Sequence, residues 1–290
     1  MAADFTEETA AKAVVDSFTD TRDPRLRQIL TSLVEHLHGF VRDVEPSMQE
    51  WEQAIGFLTA TGQMCSDTRQ EFILLSDVLG VSMLVETLND RKPEAVTDST
   101  VLGPFHVVTS PRREFGDSID EVGDGQPCVV TGRVVSVDGT PLPGAGVDVW
   151  QADAHGFYDV QRPDVTPVGN LRGLFTTDDG GAFEFRTVMP RHYPIPTDGP
   201  VGQLLTRTSR HPYRPAHIHF IAEAAGHHPV TTHVFVAGGE YLDTDAVFAV
   251  KQSLVRDFVE VDDPQQARRY GVTAPFRHVQ FDIVLAPTGA

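Results

Sequence analysis

From about residue 99 the chain is written in short, β-branched apolar runs cut apart by Gly, Pro and Asp. Examples are "CVVTGRVVSVDGTPLPGAGVDVW", "GLFTTDDGGAFEFRTV", "HIHFIAEA", "TTHVFVAG" and "RHVQFDIVLAP". Runs this short and this regularly punctuated predict an all-β body, most simply a sandwich. Asp138-Gly139 predicts a tight hairpin, and "DAVFAVKQSLVRDF" (residues 245–258) a single later helix. Residues 5 to about 92 differ: Leu26, Ile29, Leu30, Leu33 and Leu37 recur at helical spacing, as do Trp51, Ile55 and Leu58, and then Phe72, Leu75, Leu79, Met83 and Leu84. The expected fold is mainly β with a helical N-terminal region. Residues 1–98 would form a helical domain, and residues 99–290 a β-sandwich domain. Helices too thin to hold a core must pack on the sandwich or on a second copy, so a homodimer through them is expected.

The 290 residues are 40% hydrophobic, which fits a chain that buries a sizeable core. With 23 Lys and Arg against 41 Asp and Glu, the formal charge of -18 argues against nucleic acid or an anionic membrane surface as partner. A small molecule is the expected partner. Cys65 and Cys128, the two cysteines, are far apart and lack a Cys-x-x-Cys spacing, so neither a disulfide framework nor a thiolate zinc site is indicated. "MAADFTEETAAK" lacks the basic stretch and apolar run of a signal peptide, and a cytoplasmic protein without a membrane span is expected.

"RPAHIHF", residues 214–220, sets His217 and His219 one residue apart. In a strand, side chains two apart share a face, so these imidazoles could share a metal ion. His36 and His38 have the same spacing in a helical pattern, point apart, and read as surface histidines. Two ligands do not make a site, and a pair of hydrogen-bonded strand histidines would look the same. Tyr193 lies in "PRHYPIP", where Pro194 forces an extended backbone and Pro196 stiffens the next residues. Tyr158 lies in "VWQADAHGFYD", just past a strand end. Either could be a packing aromatic. Taken together, two phenolates and two imidazoles form a hard, electron-rich donor set that favours Fe(III) over Fe(II). A free tyrosine titrates near 10, so only a strongly charged cation would remove its proton.

"VWQADAHGFYD", "MPRHYPIP" and "HPYRPAHIHF" stand in the order and with the character seen in the intradiol ring-cleaving dioxygenases, which the chain resembles over most of its length. The resemblance implies a β-sandwich with an N-terminal helical dimerisation region, and a lipid held among those helices as in some relatives. It implies one non-haem Fe(III) per subunit, bound by Tyr158, Tyr193, His217 and His219 with a solvent hydroxide. An aromatic 1,2-diol would bind through both oxygens, Tyr193 being displaced and accepting a proton. Dioxygen would then be inserted between the hydroxylated carbons, opening the ring to a dicarboxylate. Arg214 matches the family's arginine beside the site, where a fixed cation can stabilise charge developing on the ring.

His233 stands where relatives acting on catechol usually carry glutamine, which puts catechol in doubt. "VLGPFHV" at 101–107, His233 and Asp77 resemble the hydroxyquinol-cleaving branch. Asp77 would accept a hydrogen bond from the third hydroxyl, unless it is simply a solvated helix residue. Leu74, Val101, Leu102, Gly103, Pro104 and Phe105 would line the pocket, Gly103 allowing backbone to approach the ring. The product would be 3-hydroxy-cis,cis-muconate, which tautomerises to maleylacetate in aromatic catabolism. Catechol or chlorocatechol cleavage is the alternative chemistry. A cupin-type site built on His217, His219 and Glu223 would leave both tyrosines idle. A transthyretin-like binding module without catalysis is a more distant reading.

Overall fold

In the computed structural model, which describes residues 4–66, 69–90, 95–106 and 110–289, the N-terminal helical periodicity resolves into separate helices. They are α1 (Ala10–Asp16), α2 (Pro24–Val44), α3 (Met48–Gln63), α4 (Glu71–Val78) and α5 (Val81–Asn89). Pro24 opens α2 where its missing N–H costs nothing, and the Asp23 carboxylate caps the backbone N–H groups of Arg25 and Leu26. The chain divides into two compact units, residues 1–60 and 61–290, so α4 and α5 belong to the unit that carries the strands.

In that unit two five-stranded sheets face each other. The first holds β1 (Pro127–Ser136), β4 (Ala182–Val188), β10 (Val259–Val261), β11 (Phe276–Gln280) and β12 (Ile283–Leu285), in the order β10-β11-β1-β12 with β4 also paired to β1. The second holds β2 (Gly146–Gln151), β3 (Arg172–Thr176), β7 (His217–Glu223), β8 (Val230–Val236) and β9 (Val255–Arg256), in the order β3-β2-β7-β8-β9. A short ribbon pairs β5 (Tyr193–Pro194) with β6 (Tyr213–Arg214). Alternation places Val147, Val149, Ile218, Phe220 and Val234 in the core beside Val130, Val134, Phe183 and Phe185 of the first sheet. Phe220 anchors the interface, its ring centroid 5.3 Å from Phe281 and 6.2 Å from Phe183. With that face of β7 buried in the core, His217 and His219 must project from the opposite face.

The tight hairpin at Asp138-Gly139 forms, with Ser136 N–H donating to Thr140 O at 2.8 Å, Leu142 N–H to Val134 O at 2.9 Å and Val135 bridged antiparallel to Pro141. It is a short one, since β1 and β2 themselves lie in different sheets. Pro141 and Pro143 come after the turn without backbone donors, and the chain crosses to the second sheet. Two expectations change. The helix expected over 245–258 does not form. The Asp245 side chain accepts the N–H groups of Val247 and Ala249, an alternative to helical bonding, and Val255–Arg256 pairs with β8 instead. Two unanticipated helices appear, α6 (Pro200–Arg207) and α7 (Pro264–Tyr270). The second carried a readable signal: an Asp263 cap, proline at its first position and Gly271 after its end.

Candidate metal centre and substrate cleft

The outer face of the second sheet carries a row of four directly opposed residues on adjacent strands: Arg172, Trp150, His219 and His233. All four are buried. The Trp150 indole stacks on the His219 ring at 4.5 Å with 12° between planes and so fixes its orientation. His217 shares the face, and the two Nε2 atoms of the His-x-His pair stand 3.1 Å apart. The Tyr158 hydroxyl lies 3.1 Å from His219 Nε2. The Tyr193 ring meets Tyr158 edge-on at 5.2 Å, and Arg214 Nη1 lies 3.5 Å from the Tyr193 hydroxyl and 3.4 Å from His217 Nε2. The structure thus brings Tyr158, Tyr193, His217, His219, His233 and Arg214 together.

Local structure explains how the tyrosines arrive. Tyr158 precedes a 3-10 turn at Asp159–Gln161, and its N–H donates to the Gln161 side chain. Buried Asp159 accepts two bonds from Arg172, at 2.9 and 2.6 Å, and the N–H of Gly169. Gly156, at φ +86°, lies so close to the next motif that a Cβ there would stand 2.9 Å from His192 O and 3.2 Å from Tyr193 Cβ. Only glycine lets "DAHGFYD" rest on "RHYP". Tyr193 is aimed by the β5–β6 ribbon, whose register sets it opposite Arg214.

The protonation states suit a cation. Burial pushes the imidazoles of His217, His219 and His233 well below their ordinary range, keeping them neutral near pH 7. His217 Nδ1 pairs with Pro215 O at 2.7 Å and must donate there, so its Nε2 presents a lone pair. Burial, then the neighbouring Tyr193, hold the Tyr158 phenol well above its usual value, so a phenolate there needs a cation beside it. Ligand bonds of about 2.0–2.2 Å place neighbouring donors about 3 Å apart, which matches the separations seen. One ring nitrogen from each of His217, His219 and His233 can be chosen so that the three lie within 4.8 Å of one another. His233 Nδ1 is hydrogen-bonded to Thr100, whereas His219 Nδ1 and His233 Nε2 are buried without a partner. The donor set fits a metal ion.

Beside this group opens a cleft of about 760 Å³ lined by α4, α5 and the 101–106 strip, including Leu74, Asp77, Val101, Leu102, Gly103, Pro104 and Phe105. Val107, the last residue of the sequence motif, lies outside the described residues. The strip forms the wall shared with the metal centre: Phe105 stacks on Tyr158 at 4.5 Å, and a Cβ on Gly103 would come within 3.1 Å of His219 Cε1. Gly103, at φ +77°, therefore makes its close approach to the His219 imidazole. Gly103→Ala is expected to destabilise the fold by about 1–3 kcal/mol through overpacking and to lower metal content. An unchanged thermal midpoint with full metal loading would show that the strip does not press on His219. Asp77 is buried rather than solvated, and burial raises its carboxyl above the ordinary range, opposed by the Ser82 hydroxyl and the charge on Arg214.

Sequence reasoning missed Trp150, Asp159, Arg172, Thr100 and Asp245, which support the site. Trp150 and Asp159 stood inside a recognised motif, but cross-strand register alone reveals the partners of Trp150.

Known proteins place this arrangement. The family described as "Dioxygenase" matches residues 104–287, and "Catechol dioxygenase N terminus" matches residues 23–97. The chain belongs to the intradiol ring-cleavage dioxygenases. Within that family it is 49% identical to hydroxyquinol 1,2-dioxygenase from a Rhizobium species, over 97% of this chain and 96% of the relative. It is also 49% identical to 6-chlorohydroxyquinol 1,2-dioxygenase from Cupriavidus pinatubonensis, over 98% and 99%. The solved structure of hydroxyquinol 1,2-dioxygenase from Pseudomonas putida matches with a TM-score of 0.90 and 45% identity, covering 97% of this chain and 98% of that one. Catechol 1,2-dioxygenase from an Acinetobacter species matches with a TM-score of 0.82 and 30% identity, over 98% and 93%.

Proposed function

We propose that this chain cleaves hydroxyquinol, benzene-1,2,4-triol, between its two adjacent hydroxylated carbons. Both atoms of dioxygen enter the product, 3-hydroxy-cis,cis-muconate, which tautomerises to maleylacetate. The observation that carries the reading is a buried carboxylate, Asp77, lining a cleft beside two phenols and two facing imidazoles. Full-length similarity to two enzymes named for hydroxyquinol substrates supports it.

Tyr158, Tyr193, His217 and His219 would hold one non-haem ferric ion per subunit, which, when bound, supplies the Lewis acidity that favours the diolate form of the substrate. Tyr193, as its phenolate, would accept one of the two substrate protons and a solvent hydroxide the other, with Arg214 Nη1 3.5 Å from the Tyr193 oxygen to stabilise charge while the proton moves. Tyr158, stacked under Phe105, stays in place. Phe105, Pro104 and Leu102 exclude water along the ring edge. His233, its Nδ1 engaged by Thr100, offers Nε2 to a substrate oxygen. Asp77 accepts the hydrogen bond of the third hydroxyl, which catechol and chlorocatechol lack.

Residues 1–98 act as the dimerisation and linker domain and residues 99–290 as the catalytic domain, a division supported by the ranges of the two family matches. A homodimer through α2 and α3 is supported by Leu33, Phe40, Met48 and Trp51, each at least half exposed in the single chain. A lipid among these helices would fit the same apolar surface, and sedimentation at monomer mass would contradict the dimer. Among the described residues no helix is long and apolar enough to cross a membrane.

Oxygen uptake by iron-loaded protein, with hydroxyquinol and catechol side by side and spontaneous hydroxyquinol oxidation subtracted, tests the reading. Strong preference for hydroxyquinol with maleylacetate as product is expected. Preference for catechol would reassign the substrate, and uptake with neither would reject ring cleavage.

A further inference from the structure

Arg214 is held on a side the sequence did not reveal. Its guanidinium is 2% exposed, with Nε donating to Asp245 Oδ1 at 3.2 Å and Nη2 standing 3.5 Å from Oδ2. The Nη1 edge is the one that reaches Tyr193 and His217. Asp245 is itself buried and also takes the N–H groups of Val247, at 3.3 Å, and Ala249, at 3.0 Å. The next residue, Ala246, donates its N–H to Tyr213 O at 3.1 Å, tying the loop to the residue before Arg214. Arg210 fastens it again through Ala246 O at 3.0 Å. Tyr241 and Phe248 bracket this loop at φ +68° and +60°, a backbone region that side chains disfavour unless the surroundings impose it.

We propose that Asp245 is a positioning residue, whose carboxylate grips the Nε and Nη2 edge of Arg214 and keeps Nη1 on Tyr193 and His217. The grip is a property of the chain alone. Its benefit to turnover rests on the ring-cleavage reading.

Asp245→Asn and Asp245→Glu are made in the full chain, each alone and with Arg214→Lys. The first readout is hydrogen exchange at the Arg214 Nε–H, assigned by its disappearance in Arg214→Lys. It is measured by NMR on protein freed of iron by chelation and on protein loaded with gallium(III) as a diamagnetic substitute for the ferric ion. Asp245→Asn should speed that exchange at least about tenfold, because the buried acceptor loses its charge. In iron-loaded protein kcat should fall about 10- to 100-fold with KM little changed, the range typical of groups that orient a metal site from outside. Asp245→Glu, which keeps the charge, should restore part of the loss. In the Arg214→Lys background Asp245→Asn should add little, since both act through one guanidinium. Unchanged Nε–H exchange, or kinetic effects that add in the double variant, would overturn the proposal. If wild-type protein shows no ring cleavage, the proposed reaction fails while the exchange measurement still decides the grip.

Discussion

Arg214→Met is expected to lower kcat for hydroxyquinol about 100- to 1000-fold, with metal content held to within about twofold. The effect is electrostatic. Burial alone would lower the Arg214 guanidinium, but Asp245, Tyr193 and Tyr158 together hold it above its ordinary value, so the cation is fixed and permanent. In a dry pocket such a charge acts on whatever negative charge develops beside Tyr193 and His217, at no cost in reorganisation. Methionine fills much of the volume and removes the charge. It also strands the Asp245 carboxylate, and breaking a buried pair in this way costs about 3–5 kcal/mol, so the thermal midpoint should drop as well. Arg214→Lys, which keeps the charge and loses the fork, should fall between. Steady-state kinetics and metal analysis on the same preparations check this, and a kcat within about fivefold of wild type would mean that the cation does not serve the reaction.

Asp77→Leu is expected to lower the preference for hydroxyquinol over catechol by about 100-fold or more, chiefly through kcat/KM for the triol. A site built to pair a hydroxyl discriminates through the cost of leaving its polar group unpaired. An apolar site cannot do so to the same degree. The same residue leaves a signature in stability. Its folded carboxyl titrates above its unfolded value because burial disfavours the charge, so ionised Asp77 destabilises the fold at neutral pH. As pH falls through the folded and then the unfolded value, the folded state takes up its proton first and the penalty disappears. Asp77→Asn should therefore raise the thermal midpoint at neutral pH, and the gain should vanish at acid pH. Competing-substrate kinetics and melting curves across pH read the two effects. A substrate ratio unchanged in Asp77→Leu would remove Asp77 from recognition.

The parts of the fold and site legible in the sequence are those governed by local periodicity. Alternation along "HIHFIAE" determines which face His217 and His219 share, because Ile218 and Phe220 have to be buried. Proline and glycine punctuation around Tyr158 and Tyr193 marks both as held in fixed directions. What a single sequence does not encode is register between strands distant along the chain. That Trp150 lies between Arg172 and His219 comes from pairing β2 with β3 and β7, and pattern within any one strand is silent about it. The segment after Asp245 shows the opposite failure. Its apolar spacing suits a helix, but one carboxylate captures two backbone N–H groups and a strand edge captures the rest. Gly103 reads in the sequence as a point of close approach to a ring, yet the ring it approaches is His219, which only the folded chain brings there.

If Tyr158 and Tyr193 bind a ferric ion together with His217 and His219, the visible spectrum of iron-loaded protein will show it. One iron per chain is expected, with a broad tyrosinate-to-iron absorption that colours the protein red and is altered in both Tyr158→Phe and Tyr193→Phe. A colourless iron-loaded protein, or a band unmoved by either substitution, would contradict it.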